Sequence, residues 1–105
     1  MDIVYASLQR RQPAEPTEPC EVAEVLGALW AHATPADGLE HASGRSEADR
    51  VDLLLYLRTL DPTAADTRTE LHRASDLLAR CHQAAPVLRR RYLPPAGTVH
   101  PGPAA

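Results

Sequence analysis

Two cysteines, five histidines and fourteen acidic residues supply the side chains from which metal sites and nucleophilic centres are built. Cys81 and His82 are adjacent, and His72 precedes them on the same expected helix. Neighbouring residues on a helix point about 100° apart, so these three do not close on one ion. Cys20 stands near a helix start, but Glu18, Glu21 and Glu24 surround it with negative charge that opposes a thiolate. Cys81 falls on an apolar seam and is expected to be buried, as a small thiol beside a surface His82. The carboxylate pairs Glu21/Glu24 and Asp49/Asp52 each share a helix face near a helix start. Solvated acids suit the dipole there without any acid/base role. No catalytic residue, metal site or cofactor is expected.

Arg89, Arg90 and Arg91, next to Tyr92, form the one concentrated basic patch, and Arg10 and Arg11 could join them on the phosphates of a nucleic acid. Cations also suit a helix C-terminus for local reasons. All eleven basic residues are Arg; Lys and Asn are absent and Ile3 is the only Ile. Those missing residues have AT-rich codons, so the bias reads as a GC-rich bacterial genome, not as a demand for guanidinium chemistry. The net charge of −3 gives no general attraction to nucleic acid or to anionic membranes.

These residues need elements to hold them. Leu71, Ala74, Leu78, Cys81, Ala85, Leu88 and Tyr92 recur at alternating steps of three and four, the period of a helix seam. The surface to receive it is the apolar block 51–60. Ser46 and Asp49 have capping-box spacing, which predicts a helix over 47–60 that is apolar almost all round: Val51, Leu54 and Leu55 on one side, Leu53, Tyr56, Leu57 and Leu60 on the other. A first helix is expected over 20–32, with Val22, Leu26, Leu29, Trp30 and Ala33 on its buried stripe and Trp30 as a core anchor. Asp61, Pro62, Thr63 and Asp66 signal the start of a third helix, expected to run to about residue 93 with a kink at Pro86. Residues 2–8 fit strand and helix equally. Pro13, Pro16 and Pro19 predict a solvated linker, and 94–105 a disordered tail.

The fold class expected is therefore all-α: a small three-helix bundle over 20–93, between an extended segment at 1–19 and the tail at 94–105. A chain of 105 residues holds one core, and with 4% aromatics and no Phe that core is aliphatic. The middle helix carries more apolar surface than two neighbours cover. This points to a non-enzymatic protein–protein interaction module, homodimeric or a subunit of a regulatory complex. Its partner is itself or another helical protein, through Leu53, Tyr56, Leu57, Leu60, Leu88 and Tyr92. The alternatives are a DNA-associated regulator using Arg89, Arg90 and Arg91, and a small-ligand carrier with a pocket between helices near Trp30 and His72. No apolar run reaches the ~20 residues of a membrane span. Nothing resembles a signal peptide, and two Cys without ligand spacing suggest reduced thiols, so a cytoplasmic setting is expected.

Overall fold

The computed structural model describes residues 1–12, 19–60, 68–95 and 99–102. Its elements are β1 (Asp2–Gln9), α1 (Pro19–His32), a 3-10 turn (Pro35–Asp37), β2 (Leu39–Ser46), β3 (Arg50–Leu57), α2 (Glu70–Ala84), α3 (Pro86–Arg91) and β4 (Val99–Pro101). The strands form one antiparallel sheet in the order β2-β3-β1-β4. This is an α/β fold and not the expected all-α bundle. With α3 as an addition, the order of elements and strands is that of two interlocked split β-α-β units, the ferredoxin-like connectivity.

The decisive segment is the apolar block. Residues 47–60 do not form a helix: they give a tight turn, closed by Glu47 N–H donating to Arg50 O at 2.8 Å, and then β3. In a strand, Val51, Leu53, Leu55 and Leu57 all point to the helix layer and are at most 1% exposed, while Asp52, Leu54 and Tyr56 point the other way. A segment apolar on both sides suits a central strand, whose two edges are both hydrogen-bonded by neighbours. Here those neighbours are β1 and β2. Each such leucine contributes about 1.5–3 kcal/mol by burial.

β1 settles the ambiguity at residues 2–8: Val4, Ala6 and Leu8 face the helices, and Ile3, Tyr5 and Ser7 face away. Although it falls within the 1–19 segment, this strand is central to the sheet. β2 carries little strand propensity in its sequence LEHASGRS and is held by pairing with β3. Gly44 within it faces α1, where a Cβ would meet Val22 Cγ1 at 3.0 Å and Leu53 Cδ2 at 3.1 Å, so a larger residue would require those side chains to give by a few tenths of an ångström. β4 pairs with β1 over Val99–Pro101, which replaces part of the expected disordered tail.

The helices cover one face. Val25 and Leu29 of α1 join Ala74, Leu77, Leu78 and Cys81 of α2, with Leu88 and Tyr92, in one cluster with the inward side chains of the sheet. Trp30 is a correction: it lies on the outer side of α1 and is 47% exposed. His82 is another, since it is buried and its Nε2 lies 3.0 Å from Tyr92 O. The start signal at Asp61, Pro62, Thr63 and Asp66 lies outside the described residues; α2 begins at Glu70, where Thr69 Oγ1 accepts from His72 N–H at 3.1 Å. Pro86 ends α2 instead of kinking it. Ala85 is extended (φ −100°, ψ 108°), as a residue before proline prefers, and caps both α2 and α3.

Candidate functional site

The side of the sheet opposite the helices carries its own pattern. Along the two central strands, Ile3 lies opposite Tyr56 and Tyr5 opposite Leu54, and all four are partly exposed. The outer strands flank them with polar side chains: His41, Ser43 and Arg45 from β2 and His100 from β4. The His41 and Tyr56 rings lie 5.2 Å apart at 55°. An apolar centre inside a polar rim is the anatomy of a recognition surface. Tyr5, Ser43, Gly44, Arg45, Asp52, Leu53 and Leu54 line a shallow concavity of about 310 Å³ in it.

The charges of this face are neutralised in place. Asp52 is 5% exposed and accepts from Ser7 Oγ at 2.9 Å and Arg50 Nε at 2.8 Å. Burial alone would raise its carboxyl, but hydrogen bonds from Ser7, Arg50 and Tyr5 outweigh that and hold it below the usual carboxylate value. Burial and the facing Asp52 carboxylate push the Tyr5 phenol up. Arg50 also meets Asp49 at 2.9 Å, and Arg45 meets Glu47 at 2.7 Å.

Of the residues singled out for an interface, Leu53, Leu57, Leu88 and Tyr92 are at most 3% exposed and belong to the chain's own core. Leu60 follows β3 and is partly buried. Tyr56 alone of the six lies on the open face. Its neighbours Ile3, Tyr5 and Leu54 were missed because a helical period scatters them, whereas counting by twos from Tyr56 and from Ile3 gathers them. Trp30 and His72, expected beside a pocket between helices, are both exposed.

The basic residues are brought together only in part. Arg10 is buried, with both terminal guanidinium nitrogens on the Glu21 carboxylate, its Nε on Glu47 O at 3.1 Å and a further bond to Ser46 Oγ at 2.8 Å. Arg11 instead joins α3: its N–H donates to Arg91 O at 2.9 Å and its Nε to Arg89 O at 2.8 Å. Arg91 meets Glu24 at 3.0 Å, so each acid of the Glu21/Glu24 pair is tied to an arginine. Burial alone would raise the Glu21 carboxyl, but Arg10 outweighs it and holds it below its usual value, while burial pushes the Tyr92 phenol up to about 12.

At the opposite end of β1, a second buried arginine works as a tie. Arg73 Nη1 donates to Asp37 O and Arg58 O, both at 3.1 Å, fastening α2 to the turns flanking β2 and β3. Gly38 at φ 70° makes room, since a Cβ would stand 2.8 Å from that nitrogen. Arg80 and the Thr34 N–H both donate to Asp37 Oδ2. Thr34 and Asp37 have capping-box spacing, but no spacing in the sequence marks the Arg73 contacts, because their partners are backbone carbonyls brought near by the fold.

Among the described residues no three His, Cys, Asp or Glu side chains gather to hold a metal ion, and no helix is long and apolar enough to cross a membrane. Cys81 is buried, its thiol pushed up to about 11 by burial; Cys20 is exposed. No protein-family model matches this chain, and comparison with curated proteins and with solved structures gives no match.

Proposed function

We propose that this chain is a non-enzymatic protein–protein interaction module that self-associates, two copies packing the open faces of their sheets together. The observation that carries this is the uncovered Ile3/Tyr5/Leu54/Tyr56 patch at the centre of a face whose arginines, Arg45 and Arg50, are both paired with carboxylates of the chain. Under a two-fold axis each patch meets its own copy, and paired charges add little like-charge repulsion. The same pairing disfavours nucleic acid here, since no arginine of the face is free to meet a phosphate.

Three eight-residue strands about 26 Å long and the three-residue β4, spaced about 4.8 Å apart, give this face on the order of 400 Å². Standard interfaces bury about 800 Å² per partner, so the dimer is a reversible one that dissociates on dilution. The cytoplasm is the compartment this reading takes, supported by two free cysteines of which Cys20 is exposed to any oxidant. Light scattering coupled to size exclusion tests the proposal. A mass rising from one to two chains with concentration is expected, and Leu54→Arg with Tyr56→Asp should hold it at one while circular dichroism stays unchanged. A monomer at high micromolar concentration, or a dimer indifferent to that double substitution, overturns it.

A further inference from the structure

We infer that Arg11, Arg89 and Arg90 form a second binding site, for the phosphate backbone of a nucleic acid, which does not rest on the sheet-face reading. Arg11 is 78 residues from Arg89, and the two are joined by a built contact: an isolated bridge pairs Arg10 with Tyr92, and Leu93 N–H donates to Gln9 O at 2.8 Å. The Arg11 Nε is held on the Arg89 carbonyl, which leaves its terminal nitrogens free, and Arg89 Nη1 is held on Gln83 O. Backbone carbonyls thus position two guanidinium groups without cancelling their charge.

Among the described residues the carboxylates nearby are already committed. Glu21 takes Arg10, Glu24 takes Arg91 and Asp49 takes Arg50. Arg11, Arg89 and Arg90 are exposed and have no ion pair among the described residues, three open cations in a chain of net charge −3. A helix dipole accounts for cations on the last turn of α3, but not for the recruitment of Arg11 to it. Guanidinium groups suit phosphate oxygens by their planar, multiply donating geometry. A lipid surface asks for about 4–8 basic residues or an inserted apolar segment. Three arginines beside the half-exposed Leu93 fall short of that. Among the described residues no strand or long helix projects from the patch to enter a groove, so binding indifferent to base sequence is expected.

Fluorescence anisotropy with a labelled mixed-sequence duplex of about 20 base pairs tests the site. Three neutralised phosphates predict an affinity falling about 40-fold between about 50 and 200 mM salt, a logarithmic slope near −2.7. Arg89→Ala with Arg90→Ala should leave the fold intact, since among the described residues the Arg90 side chain makes no hydrogen bond or ion pair and the Arg89 side chain makes one, to Gln83 O, while the Arg89 carbonyl that holds Arg11 is kept; it should bring the slope to about −0.9. Arg58→Ala, at the far end of β3, should leave it unchanged. The inference is overturned if the duplex does not bind at low salt, if Arg58→Ala lowers the slope as much as the double variant, or if phosphatidylserine vesicles bind and the duplex does not.

Discussion

On the helix-covered side of the sheet, Val4, Ala6, Leu8, Val51, Leu53, Leu55 and Leu57 are sealed beside an Arg10–Glu21 pair whose side chains are 4% and 7% exposed. On the other side, Ile3, Tyr5, Leu54 and Tyr56 are half open beside an Arg50–Asp52 pair whose side chains are 37% and 7% exposed. The two faces are built from the same parts, alternate residues of the same two strands plus one arginine–carboxylate pair. What separates them is what covers them. The inner face is completed by α1, α2 and α3; the outer face has its acid enclosed but its cation and apolar side chains uncovered. The difference locates the stability of the fold on one side and leaves an uncovered apolar surface, the one proposed to self-associate, on the other.

Breaking the two ion pairs in turn gives the largest contrast. Glu21→Ala leaves the Arg10 guanidinium buried and unpaired and should cost about 3–5 kcal/mol. Asp52→Ala leaves Arg50 able to turn to water and should cost about 1 kcal/mol. Urea denaturation at neutral pH reads both, and equal losses would refute the asymmetry. Next in size, Leu55→Ala empties a core position and should cost about 3 kcal/mol. Leu54→Ala, its sequence neighbour on the open face, should stay within about 1 kcal/mol in the monomer but weaken self-association.

Acid sharpens the same comparison. Both Glu21 and Asp52 have folded values held below their ordinary 4.5 and 3.8. Each therefore contributes stability that is present above its ordinary value and is lost as pH falls through the folded one. The chain should lose stability progressively as pH drops below about 4.5. Glu21→Gln should flatten the upper part of that decline and Asp52→Asn only the part below about 3.8. Chemical denaturation across pH 2.5–6 measures this, and a decline untouched by either substitution would remove both carboxylates from the account.

The sequence discloses these faces unevenly. α1 is legible because Val22, Val25, Leu26 and Leu29 keep a helical stripe and Pro35 and Gly38 stop it. The buried seam of α2 and α3 is legible for the same reason. β3 is not, since seven residues with apolar side chains on both sides satisfy a period of two and a period of 3.6 alike, and its short length is the clue that favours a strand. β2 is illegible on its own: Gly44 and two serines disfavour a strand locally, and only β3 on one side and α1 against Gly44 stabilise it. The open face inherits both difficulties. Tyr56 is found as a large apolar residue, but its partners Ile3, Tyr5 and Leu54 appear only once β1 and β3 are paired in register.

The smallest expected effect is the one that discriminates best between surfaces. Trp30 is the largest exposed apolar side chain on the helix layer, and a tryptophan 47% exposed competes with the sheet face for the role of contact point. Its surroundings argue otherwise. The outer side of α1 offers Ala23, Gly27 and Ala31, small residues that give a partner nothing to interlock with, and a lone exposed apolar residue is ordinary for a protein surface. Trp30→Ala should therefore change stability by no more than about 0.5 kcal/mol and leave the concentration at which two chains associate where it was. As the only tryptophan, Trp30 should also keep a solvent-exposed emission spectrum on both sides of that concentration. A blue shift on association, or a Trp30→Ala monomer, would move the interface from the sheet to the helices.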